Sequence, residues 1–139
     1  FFLLADDGIR AVERSRGLGD VYKRQNTNWP LADKFQEHAE SLGREFVPFE
    51  DALKFGAGST DMGNVSQRIP SIHPMLAVAP PSVVIHNPEF TKWAASEKGD
   101  AAILDGAKAL ALTAADYLTS THLQDNARKA YEVSKGLAN

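Results

Sequence analysis

Two passages gather polar and titratable side chains at spacings that suit chemistry. The first is Gly58-Ser59-Thr60-Asp61-Met62-Gly63-Asn64-Val65-Ser66. Its glycines and short polar residues favour a loop that presents backbone N–H groups and hydroxyl and carboxylate oxygens to a ligand. The second is Ile85-His86-Asn87-Pro88-Glu89-Phe90. There an imidazole, a common metal ligand, directly precedes an Asn-Pro-Glu sequence of the kind that opens a helix. Between them Pro70-Ser71-Ile72-His73-Pro74-Met75 holds a second histidine before a proline, whose ring pushes His73 toward extended geometry. His73 could line a pocket or satisfy a backbone carbonyl. His38 lies mid-helix beside charged residues and His122 opens a helix, so both are expected on the solvated surface. His122 and Asp125 share a helical face, but two ligands without a third are a weak metal signal. Ser59 is not in a nucleophile elbow, because Ala57 and Asp61 stand where glycines are needed. Gly56-Ala57-Gly58 lacks the third glycine of a dinucleotide loop for the same reason: Asp61 occupies its place.

The elements that would position these groups follow from hydrophobic spacing. Asn28-Trp29-Pro30 offers a capping Asn with a proline in the first turn. Leu31, Phe35, Ala39 and Leu42 then recur at helical spacing until Gly43. Residues 75–79 and 82–85 are short apolar runs without helical period, separated by Pro80-Pro81, and are expected as strands of a buried sheet. His86 would end the second strand beside the N-terminus of a helix burying Phe90, Trp93 and Ala94, the place where ligands bind in open α/β sheets. A long helix over 100–118 is expected to pack through Ile103, Leu104, Ala107, Leu110, Ala111, Ala114, Tyr117 and Leu118, with Asp105, Lys108 and Asp116 opposite. A last helix over 122–135 would turn Leu123, Ala127, Ala130 and Tyr131 inward and stop at Gly136. The fold class expected is α/β, with short strands packed against amphipathic helices.

The 139 residues carry a net charge of -3 and no cysteine. A mildly acidic chain without a basic cluster argues against nucleic acid as a partner. No run approaches the roughly 18 apolar residues of a membrane span, and thiolate metal sites and disulfides are excluded. A soluble cytoplasmic protein is expected. Residues 1–25 are set apart. Asp20-Val21-Tyr22-Lys23-Arg24-Gln25 resembles the translated end of a sequencing-library adapter, and Asp6 and Asp7 interrupt the apolar start that a secretory signal would need. The stretch is expected to be an artefact, disordered or non-native, with the protein proper over 26–139. Without it the chain has 10 basic and 14 acidic residues, a net charge of -4.

The three motif passages, with the alanine-rich helix that follows them, make residues 26–136 resemble the C-terminal part of the M-twenty metallopeptidase family. The likeness is strongest to its amidohydrolase branch, which includes p-aminobenzoyl-glutamate hydrolase, aminoacylase-like enzymes and dipeptidases. The resemblance implies an α/β zinc-peptidase-like catalytic domain and a smaller lid domain through which the enzyme forms homodimers. It also implies two divalent ions, zinc or manganese, and a small amide or dipeptide as substrate. His86 matches the late histidine that ligates one metal. Gly58, Ser59, Thr60, Asp61, Asn64 and His73 match the substrate pocket, with Asp61 the residue expected to matter most. The implied chemistry is attack of a metal-bound water on the amide carbonyl, with a glutamate removing its proton. That general-base Glu, the His-x-Asp ligand motif and the Glu-Glu pair are absent here, so the chain alone is expected to be inactive. The competing reading is a non-catalytic α/β interaction module, or a subunit that has lost catalysis, in which Asp61 and His86 only cap and brace.

Overall fold

The structure is a computed structural model that describes residues 25–47, 60–83 and 85–137. Among the described residues there are five helices: α1 Trp29–Ser41, α2 Met62–Ser66, α3 Phe90–Ala94, α4 Glu97–Thr119 and α5 Thr121–Leu137. α1 packs most extensively on α4, and α5 lies against both.

α1 forms where the periodicity places it, and Gly43 follows it with φ +86°, the left-handed value that glycine adopts without penalty. Asn28 does not cap α1. Its side chain makes no cap hydrogen bond; the buried amide donates to the Ala127 carbonyl at 2.8 Å and so ties the start of α1 to α5. Pro30 at the second helical position explains part of this, because it offers no N–H for a capping oxygen to accept. Asn28 Oδ1 is left buried without a partner.

Among the described residues there is no β-strand, which corrects the α/β expectation. One isolated parallel bridge, Thr27 to Ser71, is the pairing found among those residues. The apolar runs at 75–79 and 82–85 match strands in composition, yet a strand exists only when a neighbour accepts its ladder. Here Pro80 and Pro81 remove two donors, and the Ala77 carbonyl faces the Arg44 guanidinium at 3.5 Å rather than a partner backbone. Met75 and Ile85 are exposed, and Val84 lies outside the described residues.

α4 is longer than expected because Ser96 starts it. Its hydroxyl accepts from the Gly99 N–H at 3.3 Å, with Glu97 and Asp100 in the electropositive first turn. The face it buries is not the one the large residues occupy. Gly99, Ala102, Ala109 and Thr113 are buried, whereas Ile103, Leu104, Leu110 and Leu118 are exposed. The reason lies in α1, which brings Phe35 to the contact. Phe35 and Ala39 close on Ala109, with Leu42, Phe46, Ile72 and Leu76 around them, and a ring of that size leaves room only for small residues opposite. Asp105 and Asp116 accordingly lie toward the packed side. Asp105 takes Arg44 Nη2 at 2.7 Å and Nε at 2.8 Å, and Asp116 takes His38 Nε2 at 2.8 Å.

α5 starts at Ser120, whose hydroxyl accepts from the Leu123 N–H at 3.2 Å. It buries Leu123 and Ala127 and turns the Tyr131 hydroxyl to donate to the Gln67 carbonyl at 3.0 Å. Gly136 does not stop it, since the helix runs through Leu137. α3 buries none of its residues: Phe90 and Trp93 are half-buried and Ala94 is exposed.

Candidate functional site

The polar loop resolves into a turn and a short helix. Thr60 opens it, and its hydroxyl accepts from the Met62 N–H at 3.2 Å while its carbonyl accepts from the Gly63 N–H at 3.0 Å. Asp61 stands at the N-terminal end of α2 with an exposed side chain that makes no cap hydrogen bond; only its carbonyl is engaged, by Asn64 and Val65. Asn64 is exposed on α2. Ser66 is buried and braces the loop: it donates to the Gly63 carbonyl at 2.9 Å and accepts from the Asn26 N–H at 2.8 Å. Gly58 and Ser59 lie outside the described residues.

His73 comes to this turn from the extended stretch. Its Nδ1 lies 3.4 Å from Thr60 Oγ1, so an imidazole and a hydroxyl from separate motifs share one spot. At that distance the pair is held loosely, and both groups retain capacity to bond a ligand. The structure therefore brings Thr60 and His73 together and sets Asp61 and Asn64 on the adjoining turn.

His86 sits elsewhere than expected. It is exposed, it does not end a strand, and it has φ +63°. Histidine enters this region more readily than most residues, at a modest cost. Asn87 holds the turn that follows, its Oδ1 accepting from the Glu89 N–H at 3.0 Å, and α3 begins at Phe90. Among the described residues no three His, Asp or Glu side chains are grouped as a metal site would need. His86 by itself does not make one.

The other two histidines are also partnered. His38, expected to be solvated, is mostly buried against Asp116, and neither residue's type announces a pairing 78 positions apart. His122 shares a hydrogen bond of 3.0 Å with Asn126 rather than a site with Asp125. An open cavity of about 530 Å³ lies beside them, lined by Asp33, Lys34, Asp116, His122 and Asn126 among others. The Lys34 ammonium holds its proton more tightly than usual, chiefly because Glu37 accepts a hydrogen bond from it. Sequence spacing gave no sign of this cavity, whose walls come from α1, α4 and α5.

Comparison with known proteins finds a likeness to hydrolases of the dipeptidase type. Xaa-Arg dipeptidase of Mus musculus is 34% identical over 135 residues, which covers 92% of this chain and 31% of that protein. Xaa-Arg dipeptidase of Homo sapiens is 33% identical over 136 residues, covering 93% of this chain and again 31% of the relative. The chain thus spans about a third of the length of these curated relatives. Each match covers more of the chain than residues 26–139 contain, so it takes in part of the stretch before Asn26. No protein-family model matches the chain, and no solved structure matches it. No helix among the described residues is long and apolar enough to cross a membrane.

Proposed function

We propose that this chain is part of a metal-dependent amidohydrolase that cleaves dipeptides or N-acyl amino acids, of the M-twenty kind. The observation that carries the reading is the likeness to two Xaa-Arg dipeptidases along nearly the whole chain. The approach of Thr60 to His73 supports it, because it joins two of the motif passages at one place. In this reading Thr60, Asp61, Asn64 and His73, with Gly58 and Ser59, face the substrate. His86 contributes one imidazole to a divalent metal, zinc or manganese, whose other ligands lie outside the described residues. The exposure of His86 and its left-handed backbone suit that role: an exposed side chain is accessible to a ligand, and unusual backbone conformations gather at functional positions. Dimerisation through a lid domain outside this chain belongs to the same reading.

The test is hydrolysis by the protein made from its complete reading frame. Dipeptides ending in arginine are the first substrates to try, given the names of the relatives. Cleavage is expected, to be abolished by chelation, and His86→Ala is expected to lose bound metal and activity together. A folded complete protein that cleaves no dipeptide or N-acyl amino acid at any metal loading sinks the proposal. The 139-residue chain supplied with zinc is expected to be inactive, and turnover by it would overturn that part.

A further inference from the structure

Thr60 and His73 meet at 3.4 Å, too long a bond to fix either group. Their separation is set from behind, by residues 26–28. The Asn26 N–H donates to Ser66 Oγ at 2.8 Å, and Ser66 Oγ donates to the Gly63 carbonyl at 2.9 Å. The Gly63 N–H in turn donates to the Thr60 carbonyl at 3.0 Å. Two residues after Asn26, the Asn28 N–H donates to the Ser71 carbonyl at 3.0 Å, and Thr27 pairs with Ser71 in the parallel bridge. Ser71 lies two residues before His73, which Pro74 restrains to extended backbone. One three-residue segment therefore grips the approach to each member of the pair.

That segment is itself tied to α5. Asn26 Nδ2 donates to Ser134 Oγ at 2.6 Å, and Asn28 Nδ2 donates to the Ala127 carbonyl at 2.8 Å. Alternate residues of extended backbone point to one side, and residues seven apart, two turns on, share a helical face. The two asparagines thus reach one face of α5 together. Ser134 Oγ gives its own proton to the Tyr131 carbonyl at 2.6 Å, which leaves its lone pairs to the Asn26 amide. Tyr131 adds a tie of its own, hydroxyl to the Gln67 carbonyl at 3.0 Å, just beyond the end of α2. Ser66 is 1% exposed, so water does not compete for the link that carries the Thr60 arm. We infer that Asn26, Asn28 and Ser134 are positioning residues: through Ser66 and Ser71 they pass the placement of α5 to Thr60 and His73 and hold that pair where both can bond one oxygen of a substrate. The inference rests on the reading of Thr60 and His73 as substrate-facing. It gives α5, whose residues are not among those proposed to face the substrate, a part in binding it.

Ser134→Ala tests the far end of this relay, first in the 139-residue chain by two-dimensional amide and histidine-ring NMR. The expected result is movement of the Gly63 and Asn64 amide signals and of the His73 ring signals. The signals of Ala109 and Thr113 on α4 are expected to stay, and Ser134→Thr, which keeps the hydroxyl, to restore the parent spectrum. In the complete protein Ser134→Ala is expected to raise KM for a dipeptide about 3- to 10-fold, the scale of one hydrogen bond, with kcat within about a factor of two and bound metal unchanged. A residue that serves stability alone would lower the denaturation midpoint without moving KM. Unmoved Gly63 and His73 signals in a folded Ser134→Ala overturn the inference, and so does an unchanged KM in an active complete protein. If Ser134→Ala does not fold, Tyr131→Phe, which removes the tie to Gln67, is expected to give the same local shifts, and their absence has the same force. A complete protein that cleaves nothing overturns the part in substrate binding together with the functional reading. Local shifts in the chain would then show that the relay is real and that the reading of the site was the error.

Discussion

At the scale of single residues, Phe35 is the one large apolar side chain with under 2% exposure among the described residues. Phe35→Ala leaves a ring-sized void between α1 and α4 that alanines cannot reach across to fill. A loss of about 3–5 kcal/mol is expected, read from urea denaturation, and a loss under about 1 kcal/mol would mean that the contact is not the centre of the core. Asn28 was legible as a polar residue at a helix start, but not in its role. The sequence shows the Asn and the proline; it does not show that α5 will present the Ala127 carbonyl to the amide. Asn28→Asp removes that donor and brings a carboxylate toward a carbonyl in a buried position. It is expected to cost at least about 1–3 kcal/mol, whereas a true capping residue would tolerate the change and stabilise α1. Equal stability of the two proteins at neutral pH would restore the capping role. The candidate site shows the same limit: Thr60 and His73 were each visible as loop residues, but their meeting depends on how the extended stretch after Ser71 passes α2.

At the scale of elements, the existence and bounds of the long helices α1, α4 and α5 were legible because hydrophobic period and terminal residues act locally, whereas the short α2 falls in a stretch that reads as loop. α1 ends before Gly43, and α4 and α5 fall within a few residues of their expected limits. Which part of α4 is buried was not legible, since its apolar residues span a broad arc and the choice within it is made by Phe35 on another helix. The strands were misread for a related reason: composition reports an affinity for pairing, and pairing needs a neighbour. The junction of α3 and α4 gives a test at this scale. A methyl group added at Gly99 would meet the Ala94 carbonyl oxygen at 2.4 Å and that of Trp93 at 2.8 Å, both backbone atoms that cannot swing aside. Gly99→Ala would therefore displace α3 from the start of α4, even though alanine is the better helix former. About 1–3 kcal/mol of destabilisation is expected. It should be accompanied by greater acrylamide quenching of Trp93, measured in a Trp29→Phe background. A Gly99→Ala protein more stable than the parent would show that the two helices are not in contact there.

For the molecule as described, the core is built mainly from alanine: Ala32, Ala39, Ala102, Ala109 and Ala127 join Phe35 and Leu123, while thirteen large apolar residues among the described ones are exposed. Little apolar area is withdrawn from water for the length of chain ordered, so unfolding should expose little new surface. The urea dependence of stability is therefore expected near or below about 1 kcal/mol per molar, the low end for small proteins, and a slope near twice that would mean a larger buried interior. Metal ions should change this little. A ligand stabilises the folded chain only by binding it more tightly than the unfolded chain. An exposed His86 that belongs to no group of three or more potential ligands among the described residues offers a metal little more in the folded state than in the unfolded one. Zinc at about 100 μM is thus expected to leave the urea midpoint of this chain where it was, even though His86 is proposed as a ligand in the complete protein. A clear rise in the midpoint that disappears in His86→Ala would show that the chain by itself gathers further ligands around that histidine, and the reading of His86 as one part of a site completed elsewhere would have to be given up.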